Sequence, residues 1–529
     1  MLAPNQTNRD YMLLLSAPMQ HISSNASVIL EPNKLSDKLS EIESWDITEL
    51  ASSLTNDTRQ FNELQCDSKK RLKLLEIYYH SLTEFLSSFD EIKLRTLQLS
   101  DTSRLEIEED IMWLYLEIAN GYKILIKDFY ESGGSARQDS NYHHSIYRAM
   151  ELLSQALVYA YKARQIPPPL CFLEINQLYY IAERDVCLAQ QVMTIKKEKH
   201  EPSIEKLYKQ IMMLAVYDPY ALNSDEVALM YENLEPFVDD CKIISSGVAN
   251  AQPGQFLVDL NEDRWPSRYM GQKVRQLKDD QRLLDLTEVL KKQLAESNND
   301  ESQDYFISRE KQITRIALNS IKNDYYIRNS EKATGVTISM SVGLESVFYY
   351  LDNPDQLSVK DTVETCAGIE VSFDDEETGY EITGWNVMQV NGNVHHLTCD
   401  ASKLNQPLKV GELAIINSAI KQAGSIKLAF IRWVQHTDSE IHAVIEYLPD
   451  EYKAMTIRSF GSEDEPTQSL YFLHDNFLRI PASILIENIV VSPDNNYLVR
   501  IEGKEFKVSL SRKMRETQVY SLCSFRVNK

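Results

Sequence analysis

The hydrophobic period of this chain differs between its two halves. From about residue 36 to 248, and again over 278–296 and 304–323, apolar side chains recur at threes and fours, and beyond Arg328 they alternate. A helical stripe and an alternating strand need different partners to bury their apolar faces, so the two halves fold as separate layers. The fold class that follows is multidomain α plus β: a mostly helical bundle or repeat-like N-terminal region, then two small antiparallel β-barrel-like modules. The length of 529 residues sets two to four domains as the starting expectation.

The helical half is read most firmly in SRLEIEEDIMWLYLEIANGYKILIKDFY. Ser103 and Glu106 have capping-box spacing, and Ile111, Leu114, Tyr115, Ile118, Tyr122, Leu125 and Phe129 mark one buried stripe. After the loop ESGGSARQDSN, a helix is expected over 144–166, with Pro167, Pro168 and Pro169 ending it. Further helices are expected over 170–196, 204–217, 225–247, 278–296 and 304–323. The stripes are rich in tyrosine but show no fixed period, which leaves bundle and helical repeat both open. Residues 1–35 are polar, with Pro4, Pro18 and Pro32, and read as an irregular arm. Residues 249–275 read as a loop-rich insert around one short strand at Phe256, Val258 and Leu260.

The β half holds many short alternating segments with turn breaks, among them EITGWNVMQV, VHHLTCD, GELAIINS, KLAFIRWVQ and IHAVIEYL. The expected modules are 326–450 and 451–529, joined where LPDEYKAMTIRSFGSEDEPTQ mixes strand and loop.

Charge excludes some functions. With 55 Lys plus Arg against 78 Asp plus Glu, the net charge of −23 repels phosphate backbones and anionic lipid. The basic runs IKKEKHE and SRKMRE are interrupted by acids and read as solvated faces. No nucleic-acid partner is expected. No apolar stretch is long enough to span a membrane, and no secretory leader is recognisable. The seven cysteines lack CxxC spacing, as in a reducing, cytoplasmic setting. No phosphate loop, catalytic triad signature or zinc spacing occurs, so no enzyme, cofactor or metal is expected. The pairs His143/His144 and His395/His396 are adjacent, and adjacent side chains diverge. The acidic run Ser372–Gly379 lacks the ligand order of a calcium loop and reads as a solvated turn.

One stretch points to a family. KLAFIRWVQHTDSEIHAVIEYL reads as a β-hairpin, with Arg432 and Trp433 side by side in its first strand. Upstream stand Val410-Gly411-Glu412-Leu413-Ala414 and Gly343-Leu344-Glu345-Ser346-Val347. In that order and spacing, residues 325–450 resemble PilZ-domain bacterial proteins that carry long helical N-terminal regions. Alternation is expected to put Trp433 in a core and Arg432 on the opposite, exposed face.

The resemblance implies a cyclic di-GMP effector. Such proteins grip the ligand with an RxxxR segment, whose two guanidinium forks hold phosphate and guanine, and with a (D/N)xSxxG turn. Here the first segment aligns with Arg328 through Lys332, so the second fork becomes a point-charge lysine. In the register set by Trp385, Gln389, Asn391 and Val394 fall at the turn's three motif positions, and all three differ from it. The ligand residues that the resemblance implies are therefore Arg328, Lys332, Gln389 and Asn391, in a weakened site. The expected function is a non-enzymatic cytoplasmic adaptor in surface motility, pilus or biofilm control, meeting protein partners through its helical region. The alternatives are a working cyclic di-GMP receptor using Arg328 and Lys332, and an enzyme whose site is not recognisable in sequence.

Overall fold

The computed structural model describes residues 14–22, 28–40, 47–95, 101–132, 139–192, 202–249, 253–268, 275–298, 311, 313–315, 318, 335–357, 380–418, 426–437, 439–461, 465–474, 481–487, 496–517 and 519–528. Contacts divide the chain into two compact units, one of Met1–Pro219 with Ser224–Asn323, the other of Tyr220–Asn223 with Asp324–Lys529.

The first unit is built on α1 (Pro32–Ser40), α2 (Ile47–Asn62), α3 (Ser68–Arg95), α4 (Asp101–Ser132), α5 (Ser140–Lys162), α6 (Cys171–Arg184), α7 (Ile204–Val216) and α8 (Ser224–Leu234). Helix α4 packs on α2, α3 and α5, and α5 packs in turn on α6, α7 and α8. That shared spine is a bundle arrangement; in a repeat stack each helix pair would meet only its neighbours. Because α5 is enclosed, its charged side chains must be paired. Arg148 lies 3.9 Å from the Tyr79 ring centroid and 2.7 Å from Glu151. Lys162 lies 4.0 Å from the Tyr159 centroid and 3.6 Å from Glu108. The stripe tyrosines bury their rings and place their hydroxyls on acceptors, as Tyr122 does on Glu76 at 2.5 Å and Tyr208 on Asn176 at 2.8 Å.

Several boundaries differ from expectation. Pro32 opens α1, which suits a residue with no amide to donate, so the irregular arm is shorter than 1–35. Part of that arm is pinned. Leu15 is buried, and the Ser16 amide and hydroxyl donate to Glu174 Oε1 at 2.8 and 2.5 Å. Glu174 also pairs with the buried Lys123 at 2.6 Å. Helix α4 runs from Asp101, so Ser103 sits in its first turn and is not its cap. Helix α5 starts earlier than expected, where Asp139 accepts from the amides of Asn141 and Tyr142.

The insert is a small sheet. Strands β1 (Lys242–Ile244), β3 (Gln255–Asp259), β4 (Ser267–Arg268) and β6 (Gln281–Asp285) run in the order β1-β6-β3-β4, and β2 (Val248–Ala249) pairs with β5 (Arg275–Gln276). QRLLD, expected to be helical, is β6. It is flanked by β1 and β3 and almost wholly buried, so ladder pairing and two-sided burial outweigh leucine's helix preference. Asp285 then accepts from the Thr287 amide at 2.9 Å and starts α9 (Thr287–Asn298) there.

The second unit holds two closed barrels. The first comprises β7 (Val336–Val342), β8 (Thr383–Asn391), β9 (Val394–Asp400), β10 (Leu413–Ser418), β11 (Ile426–His436) and β12 (Glu440–Tyr447). The second comprises β13 (Tyr452–Ser459), β14 (Thr467–Phe472), β15 (Ser483–Glu487), β16 (Asn496–Ile501), β17 (Lys504–Glu516) and β18 (Tyr520–Asn528). Numbered within each barrel, the strand order is 1-2-3-6-5-4 in both, with every pair antiparallel. In both, the long fifth strand carries a bulge against the sixth. Gly343, at φ 106, turns the chain from β7 into α10 (Leu344–Asp352), a conformation that favours glycine.

The first barrel is filled by Trp385 beside Ala414, Ala429 and Ala443, large against small. A second apolar cluster joins the barrels. Leu413, Ile415, Leu428 and Phe430 point out of the first barrel and meet Leu470, Phe472, Leu485, Tyr520 and Leu522 of the second.

Candidate functional site

The expected ligand residues fall in two groups. Arg328 and Lys332 lie outside the described residues, just upstream of β7 in sequence. The acidic run Ser372–Gly379 also lies outside them. Gln389 and Asn391 both belong to β8 near its hairpin with β9. A bulge after Val387 sets Gln389 opposite His396, and Asn391 pairs with Val394. The left-handed residue of this turn is Gly392, at φ 62, while Val394 is already in strand. The hairpin tip is fastened to the end of β12: the Tyr447 amide donates to the Asn393 carbonyl at 2.8 Å.

Arg432 and Trp433 do not take opposite faces. The ladder shifts between Ile431 and Trp433, so Arg432 is the extra residue of a bulge. Ile431 and Val434 fill the barrel, and Trp433 is outside that core. Arg432 bonds Glu446 at 2.7 Å and lies 5.3 Å from the centroid of the outward-facing Phe430. Trp433 is buried edge-on against Tyr220, with centroids 5.5 Å apart. The bulge turns both side chains to the outside of the barrel.

The paired histidines diverge. His395 meets Tyr447 edge to face at 4.7 Å. His396 stacks on His442, with Nε2 to Nδ1 at 3.2 Å. Burial, then the Lys427 charge, hold His395 down to about 4, and burial, then His442, do the same for His396. Both are neutral at neutral pH. No group of three His, Cys, Asp or Glu suited to a metal occurs among the described residues.

At the open end of the β8–β9 hairpin, away from Gln389 and Asn391, the first barrel carries a polar cleft of about 660 Å³, lined by Thr337, Ser339, Asn386, Asp400, Lys403 and Glu440 among others. Asp400 is held below the usual carboxylate range by the Ser402 hydroxyl and amide. The lining therefore presents two carboxylates and one ammonium, a poor match for an anionic ligand. Sequence reasoning passed over this cleft. Its one signal was the polar Thr337 and Ser339 alternating with Val336, Ile338 and Met340 along β7.

Residues 33–247 match the family model of the N-terminal domain of the cyclic-di-GMP receptor FimW. The match covers most of the helical bundle and stops before the barrels. No curated protein and no solved structure matches the chain.

Proposed function

We propose that this protein is a cyclic di-GMP receptor-type regulator acting through protein contacts, with its own nucleotide binding weakened. The observation that carries the receptor reading is the match of residues 33–247 to the N-terminal domain of such a receptor. The resemblance of 325–450 to PilZ-domain proteins points the same way. Weakened binding is supported by the lysine at 332 and by Gln389 and Asn391 at the turn positions. A lysine offers phosphate a point charge without arginine's planar fork. In this reading the helical region meets a protein partner, and the process is pilus, motility or biofilm control in the cytoplasm. No helix among the described residues is long and apolar enough to cross a membrane.

Isothermal titration of the full chain with cyclic di-GMP, beside Arg328→Ala, tests this. Weak or absent heat in both supports a regulator with a weakened site. Micromolar binding that disappears in Arg328→Ala would replace it with the second reading, a working receptor in which Arg328 and Lys332 hold the phosphates. Turnover of the added nucleotide would overturn the non-enzymatic assignment.

A further inference from the structure

The basic run SRKMRE ends β17, and the strand before it belongs to a side of the second barrel where cations gather. Lys and Arg nearly balance Asp and Glu over residues 451–529, in a chain of net charge −23. Met455 and Ile457 of β13, Tyr497 and Val499 of β16, and Val508 and Leu510 of β17 are buried, so by alternation their neighbours face outward. The register aligns those neighbours. Arg458 pairs with Leu498, Leu498 with Lys507, and Lys507 with Asn528. One step along, Arg500 stands between Thr456 and Glu505; one step the other way, Ser509 pairs with Arg526. Arg526, Lys507 and Arg500 therefore run diagonally across three strands. Strand spacings of about 4.8 Å and a two-residue rise of about 6.8 Å put their Cα atoms about 8 Å apart. Arg458 stands beside this diagonal. Phe460, which follows on the same strand side, is 52% exposed, and Lys507 Nζ lies 3.7 Å from its ring centroid.

Elsewhere the exposed cations of this acidic chain find acids, as Lys292 does in Asp240, Lys427 in Asp450 and Lys453 in Glu502. Among the described residues, Arg458, Arg500, Lys507 and Arg526 have no carboxylate within ion-pair distance. Glu505 is the ladder partner of Arg500 but forms no ion pair with it. The barrel is closed and offers no free strand edge, so a partner meets this face through its side chains.

We propose that the outward face of β13, β16, β17 and β18 docks an acidic segment of a partner protein. An extended segment places alternate side chains about 6.8 Å apart. Carboxylates at every second position can follow the diagonal from Arg526 through Lys507 to Arg500, and the flexible stems take up the difference in spacing. The guanidinium forks match carboxylates, and Phe460 adds an apolar contact at one corner. The net charge of −23 opposes a long polyanion or an anionic membrane as a whole, whereas a short segment carries few charges to be repelled. The proposal uses neither residues 33–247 nor Arg328, so it stands apart from the cyclic di-GMP reading.

Fluorescence anisotropy of a labelled peptide of alternating Glu and Ser, titrated with the full chain at low salt, tests it. The peptide binds, and its Gln-Ser counterpart does not. Arg500→Gln/Lys507→Gln/Arg526→Gln weakens binding by about tenfold or more. Lys69→Gln/Lys70→Gln/Lys73→Gln removes the same charge from exposed positions on α3 and leaves the affinity within about twofold, since distant surface charges are screened. Neither variant alters a buried side chain, and unchanged melting midpoints confirm that both fold. A Glu-Ser peptide that does not bind, or that binds the two triple variants equally, overturns the docking face. Short oligothymidylate or phosphatidylserine vesicles that bind more tightly than the peptide, and are released by the first variant, would overturn the acidic segment as its occupant.

Discussion

Lowering the pH from about 7.5 to about 5.5 titrates His395 and His396 in the unfolded chain while leaving them neutral in the folded barrel. Both have folded pKa values near 4, depressed by burial. A histidine depressed in this way contributes stability above its unfolded value, and that stability fades as pH falls toward the folded value. From an unfolded pKa of about 6.5, each loses roughly 1.4 kcal/mol by pH 5.5, and the pair about 3 kcal/mol. His442, also lowered by burial, adds to the loss. Most carboxylates are still ionised at that pH, so the histidines dominate this window. Urea melts read on the second unit should show a midpoint that drops between these pH values with the slope unchanged. Imidazole proton shifts should show two histidines still neutral at pH 5.5. Equal midpoints at the two pH values, or imidazole titrations centred near 6.5, would refute the argument, because buried neutral rings demand both signs.

Other residues give shorter tests. Val186 stands in the left-handed region at φ 59, at the end of α6, and is 65% exposed; Val186→Gly should stabilise by about 1 kcal/mol, read as a higher urea midpoint. A Cβ at Gly121 would collide with Leu75 and crowd Asn62, both buried between α2, α3 and α4; Gly121→Ala should cost about 1–3 kcal/mol. The Lys123–Glu174 pair is 2% and 4% exposed, so Lys123→Met, which leaves Glu174 buried without its counter-charge, should cost about 3–5 kcal/mol by the same melts. A chain ending at Asp450 exposes Leu413, Ile415, Leu428 and Phe430; losing roughly 1.5–3 kcal/mol at each should leave the first barrel aggregating or binding a hydrophobic dye.

Long periodic elements were legible in the sequence, and local departures from period were not. The stripe from Ile111 to Phe129 and the hairpin of β11 and β12 stand where alternation and helical spacing put them. QRLLD failed because five residues carry no decisive period, and only its neighbours β1 and β3 make it a strand. The bulge at Arg432 failed for a related reason: one extra residue leaves no compositional trace, yet it inverts the faces of everything beyond it. Of the expected ligand residues, Gln389 and Asn391 were placed on the strand that carries them, but the turn glycine proved to be Gly392.

The two barrels share one strand order but not one set of duties. Between its first and second strands the first barrel inserts α10 and the chain up to Tyr380, whereas the second inserts only residues 460–466. The seam consumes the outward faces of β10 and β11. The cleft is lined mainly from β7, β8 and β9, with Asn417 of β10 and Glu440 of β12, and the stacked histidines stand on β9 and β12, strands that the seam leaves out. A lone small barrel has to bury every apolar outward residue or lose it to water. Lending β10 and β11 to a second barrel removes that constraint, and the remaining outward positions can then be polar or titratable.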